Sequence, residues 1–120
     1  MPKDFSFPIP FITNANIAVD YTSSEIDVIS LDRIGIDVSW TTSNVNGILY
    51  VQATIAGTNF STLLDANDDP IAIAIAGTSS FQAFDIDVKA FSKIRIFFDR
   101  TSGSLGTLNG SYLSKGRYNV

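Results

Sequence analysis

The chain has 120 residues, 45% hydrophobic and 17% charged, which is one domain's length and apolar enough to bury a core. It contains no cysteine and no histidine, so disulfide frameworks, thiolate metal sites, cysteine nucleophiles and histidine-based acid–base chemistry all lose their central residue. Formal net charge is -4, unevenly spread: six of the eight basic residues follow Asp87, where Asp99 is the only acid. That asymmetry suits docking of the basic end on an acidic neighbour, or simply solvated strand faces, while the acidic total argues against a stand-alone nucleic-acid binder.

Residues 1–20 are interrupted by Asp4, Pro8, Pro10 and Asn14, which is not the unbroken apolar core of a secretion signal. Within them Phe5, Phe7, Ile9 and Phe11 alternate with Asp4, Ser6, Pro8 and Pro10. Two prolines so close belong to an edge strand or an extended arm, and 1–20 is assigned as an arm outside a sandwich domain of 21–120. An arm carrying four large apolar side chains must bury them, at about 1.5–3 kcal/mol each, on its own sandwich or on a neighbouring subunit.

Beyond the arm the apolar period is 2 and no window holds a helical stripe. Ile26, Val28 and the stretch to Leu31 supply one strand, and in the next Ile34, Ile36, Val38 and Trp40 face inward. Leu49, Val51, Ala53 and Ile55 form the next inward series, and Asn46-Gly47 between the two predicts a tight hairpin. Ile71, Ile73 and Ile75 alternate with alanines, a strand apolar on both faces and so expected to be central or covered on both sides. Phe84, Ile86 and Val88 alternate with Asp85, Asp87 and Lys89, and Ile94, Ile96 and Phe98 face inward opposite Lys93, Arg95 and an exposed Phe97. A last strand, 106–115, is expected to bend or bulge at Asn109-Gly110. The expectation is an all-β fold: a single antiparallel β-sandwich or jelly roll of about seven or eight strands. The longest apolar run, 70–77, is too short to span a bilayer as a helix, so no membrane partner is expected.

Motifs for chemistry are weak. Asp65, Asn67 and Asp69 open like a calcium loop, but Pro70 and Ala76 stand where an EF-hand needs Gly and Glu, leaving a weak metal candidate or an ordinary turn. Asp85 and Asp87 share a strand face roughly 6.6 Å apart, without any sign of a desolvating pocket to raise one pKa. The stretch 102–110 (SGSLGTLNG) fits no phosphate-binding pattern, the sequons at Asn59 and Asn109 read as chance, and Trp40 reads as core. No catalytic residue and no cofactor are assigned, and the chain is expected not to be an enzyme.

Taken together, residues 34–40 (IGIDVSW), 49–60 (LYVQATIAGTNF), 86–98 (IDVKAFSKIRIFF) and 106–112 (GTLNGSY) with Lys115 resemble small β-sandwich virion proteins of bacteriophages. The resemblance covers most of 26–116 and departs at the turn, where Ala56-Gly57 replaces an Asp-Gly step and Phe60 stands for Trp. It implies a capsid decoration, cement, fibre or tail-associated subunit in the virion, made in the host cytoplasm. Its partners would be copies of itself and other virion proteins. The resemblance leaves the arm outside it, and the arm's Phe5, Phe7, Ile9 and Phe11 are the expected interface on their apolar pattern alone. A more distant similarity to discoidin-like jelly rolls implies the alternative, a carbohydrate-binding module reading host glycans from loops such as 65–69. Neither resemblance transfers a functional residue.

Overall fold

The computed structural model describes residues 8–116. The described chain is all β-strand and turn: β1 (Ile9–Asn16), β2 (Tyr21–Thr22), β3 (Ile26–Asp27), β4 (Leu31–Thr41), β5 (Asn46–Thr54), β6 (Ser61–Thr62), β7 (Ala72–Ile75), β8 (Ser80–Asp87), β9 (Lys93–Ser102) and β10 (Thr107–Gly116). It is an antiparallel β-sandwich. One sheet has the order β1-β10-β4-β8, and the other is built on β2-β9-β5-β6, with β3 also pairing β9 and β7 also pairing β5. The inward series of β4 (Ile34, Ile36, Val38, Trp40), β5 (Leu49, Val51, Ala53) and β9 (Ile94, Ile96, Phe98) are buried and form one core with Ile86, Val88 and Leu108. Trp40 lies in that core and its indole N–H donates to the carbonyl of Ala76 at 2.9 Å.

Several expectations are corrected. Asn46-Gly47 is not a hairpin turn: β4 and β5 lie in different sheets, and Gly47 is inside β5, paired with Ile75 on one side and Arg100 on the other. Glycine is required there by close approach, since a Cβ would stand 2.5 Å from both the Asp99 carbonyl and the Phe98 ring. The chain crosses between sheets at 42–45, where Thr42 has φ 51° and the Ser43 hydroxyl accepts the Val45 N–H at 3.0 Å. The inward series of β5 ends at Ala53, because Ile55 has left the strand and is 72% exposed.

β7 is an edge strand, not a central one: only Ile75 is fully buried, while Ala72 and Ala74 are exposed. It continues the edge begun by β6. Thr62 pairs with Gln52 and Ala72 with Tyr50, so the intervening loop is looped out of one interrupted strand and pinched by a bridge between Leu64 and Pro70.

Within 1–20, residues 9–16 are not an arm apart from the sandwich but the edge strand β1, paired with β10. Register irregularities between Pro10 and Ile12, and between Ile12 and Ala15, break the simple alternation. They turn Ile12 into the core, leave Phe11 half-buried against Tyr112 with ring centroids 5.7 Å apart, and leave Ile9 exposed. Ile17, beyond the strand, is fully buried. The bulge expected at Asn109-Gly110 lies instead on the facing strand β1: β10 pairs with β4 without a break from Thr107 to Lys115. Asn109 still marks the place, because its side-chain oxygen accepts the N–H of Asn14, a residue at φ 51°. No helix among the described residues is long and apolar enough to cross a membrane.

Candidate functional site

The loop between β6 and β7 and the end of β8 face each other across the two sheets and enclose a cleft of about 820 Å³. Ala53, Leu63, Ile71, Ile86 and Phe91 supply apolar walls, and Arg33, Asp65, Asp68, Asp85, Asp87 and Lys89 the polar ones. The size is that of a ligand pocket, so the state of its charged groups decides what it can do.

Of these, Arg33, Asp65, Asp85, Asp87 and Lys89 are engaged locally. Asp85 Oδ2 accepts from Arg33 through Nε at 3.0 Å and Nη2 at 2.9 Å, with both side chains about half exposed or more. Asp87 takes the backbone N–H of Lys89 at 3.0 Å and faces its ammonium at 3.3 Å. The hydrogen bond to the Lys89 amide, with help from the Lys89 and Arg33 charges, holds the Asp87 carboxyl below the usual aspartate range. That is opposite in direction to what a general acid needs, so the Asp85 and Asp87 pair is arranged as surface ion pairs.

The Asp65, Asn67 and Asp69 loop is a turn closed by its first residue. Asp65 Oδ1 accepts the N–H of Asn67 at 2.8 Å and of Asp69 at 3.1 Å, and Asp68 sits at φ 63°. An oxygen already holding two amides is a poor start for a cation site. Among the described residues no group of three or more acidic, His or Cys side chains is placed to hold a metal ion.

Of the four expected interface residues, Ile9 and Phe11 lie in β1, while Phe5 and Phe7 lie outside the described residues. The structure instead draws attention to strand edges, which the sequence reading passed over. β1 is blunted by Pro8, Pro10 and its irregular register, and β2 and β3 are two residues each. β8 is different: it runs in unbroken register along β4 from Trp40↔Ser80 to Arg33↔Asp87, without proline or bulge. Its outer edge is uncovered among the described residues, with 80–83 all exposed and Phe81 73% exposed. Among the described residues β7 is the uncovered edge of the other sheet, and the short connection at 76–79 joins the two on one flank. Phe97, expected as an exposed aromatic, is half-covered, and beside it Arg95 stacks 4.0 Å above the Phe60 ring while donating to Gln52.

No protein-family model matches the chain, and no curated protein matches it by sequence. Among solved structures it is similar to the SPBc2 prophage-derived protein YomS, at TM-score 0.60 and 12% identity over 96% of this chain and 99% of that one. A chain from Bacillus endospore appendages, described as a family of disulfide-linked pili, aligns at TM-score 0.41 and 14% identity over 91% of each chain. The first likeness is one of fold, spanning the whole sandwich.

Proposed function

We propose that this chain is a non-enzymatic structural subunit of a bacteriophage-type particle, a decoration, cement or other head- or tail-associated protein that assembles with copies of itself and neighbouring particle proteins. The observation that carries the reading is the flank on which β7 and β8 leave their edges uncovered among the described residues. A soluble β-protein ordinarily blunts such edges, and an edge kept regular and apolar is a template for pairing with another chain. The prophage origin of YomS, whose fold spans nearly the same length, supports the phage setting.

The chemistry of the cleft supports a role without catalysis. Asp65, Asp85 and Asp87 in it are engaged by Arg33, Lys89 and backbone amides, and the Asp87 carboxyl is held below the usual aspartate range. A glycan-reading role from the 65–69 loop would call for an aromatic platform at that loop, whereas Trp40 is core. The test is genetic and physical: particles produced with and without this gene are compared for yield and for survival of heating and osmotic shock. The proposal expects particles lacking the protein to be fewer or more fragile. Unchanged yield and resilience would sink it.

A further inference from the structure

We infer that β8 is a self-complementary interface through which two copies of this chain pair edge to edge, antiparallel about Gln82, joining their four-stranded sheets into one. The inference rests on the assembly reading for its setting and on the geometry of β8 for its content.

Antiparallel pairing centred on Gln82 sets Gln82 opposite its own copy, Phe81 opposite the partner's Ala83, and Ser80 opposite the partner's Phe84. The segment 80–84 (SFQAF) carries no charge, so no like charges meet; Asp85 and Asp87 fall beyond the paired segment. Phe81 and Ala83 alternate with the inward-facing Phe84 and Ile86, which places both on the outer face of the sheet.

That face offers a receptor. Ala83 lies beside Asp37 on β4, and Asp37 beside Ser111 on β10, so short side chains, one of them a carboxylate, run inward from the edge. With Gly35 and Leu113 they line a trough of about 450 Å³. Each copy therefore presents both a knob, Phe81, and the hollow beside Ala83 into which the partner's knob leans. A patch holding both halves of the contact is what a two-fold interface requires. Large apolar side chains on a strand end most often lie against a core; one that is 73% exposed, on a regular edge, beside the short side chains of Ala83, Asp37 and Ser111, is placed for a contact between molecules. Five paired residues bury less than a standard interface, so the free dimer is weak and gains strength from repetition in an assembly.

The absence of cysteine makes a clean test possible. Gln82→Cys sets two thiols directly opposite, within the Cα spacing that a disulfide accepts. Thr13→Cys on the β1 edge is the exposed control. Under mild oxidation Gln82→Cys is expected to form covalent dimers about tenfold faster or more than Thr13→Cys. Light scattering of the unmodified protein from about 10 µM to about 1 mM is expected to show a rising dimer fraction. Phe81→Asp should abolish both effects while its melting midpoint stays close to that of the parent, since the side chain is exposed. Equal cross-linking of the two cysteine variants, or a parent that stays monomeric throughout, overturns the inference. Dimers that persist in Phe81→Asp overturn it too. None of these results bears on whether the protein belongs to a particle, which the gene-deletion comparison decides separately.

Discussion

Replacing Gly47 by alanine tests the crossing between the sheets. The added Cβ would sit 2.5 Å from the Asp99 carbonyl oxygen, 2.5 Å from Phe98 Cζ and 2.7 Å from its Cε1. The first neighbour is backbone of the paired strand β9, and the others belong to a fully buried ring, so neither yields cheaply. Overpacking of this kind costs about 1–3 kcal/mol. For a chain of this length about 2 kcal/mol lowers the melting midpoint by roughly 6–12 °C. The assay is urea and thermal unfolding followed by the fluorescence of Trp40, the only tryptophan and a buried one. Two controls separate packing from backbone conformation. Gly35→Ala meets nothing closer than the Leu113 carbonyl at 3.8 Å and should be neutral or slightly stabilising. Gly57→Ala has open space but φ +94°, and should cost about 1 kcal/mol through the backbone alone. Gly47→Asn sharpens the question: a tight turn accepts asparagine, a crowded strand does not, so it should be at least as damaging as alanine. Stability of Gly47→Ala within about 0.5 kcal/mol of the parent would refute the placement of Gly47 between β7 and β9.

Three further outcomes follow from named contacts. Ile12→Ala should cost about 2–5 kcal/mol and Ile9→Ala under about 0.5, reversing the order that simple alternation along the N-terminal segment suggests; paired urea denaturations decide it. Ser23→Ala removes the buried hydroxyl that accepts the Ile96 N–H at 2.9 Å, and should cost about 1–3 kcal/mol with faster hydrogen exchange at Ile96. Asp87, whose pKa is lowered in the folded state, stabilises the fold above the unfolded aspartate range and loses that contribution as pH falls through its folded value; Asp87→Asn should flatten the acid limb of the stability profile, and an NMR titration should place its midpoint below that of an ordinary aspartate.

How much of this was legible beforehand can be read from particular strands. The core faces of β4 and β9 follow from strict alternation, because an antiparallel strand with one buried face has no other pattern. Asn46-Gly47 misled because the pair reports which backbone angles are tolerated, not whether the chain turns; the real constraint is the Phe98 ring, far away in sequence. β7 looked central since alanine is apolar enough to pass as covered, yet small enough to sit on an exposed edge. The N-terminal segment misled through register: irregular pairing in β1 exchanges the faces, sending Ile12 inward in place of Phe11, and only Asn109 hints at the geometry that holds it. The cleft and the open flank were illegible for a simpler reason. The cleft joins residues 61–71 with 85–91 across two sheets, and the exposure of Phe81 depends on β8 being last in its sheet, which no local pattern announces.

The central claim is that the chain works as a repeated component of a particle. Phage-type particles are banded on a density gradient, washed at high salt, and the protein is counted against the major shell or tail protein by quantitative mass spectrometry. The account predicts a fixed multiple-copy ratio that survives the wash. Its confinement to the soluble fraction, with complete particles banding without it, would contradict the account.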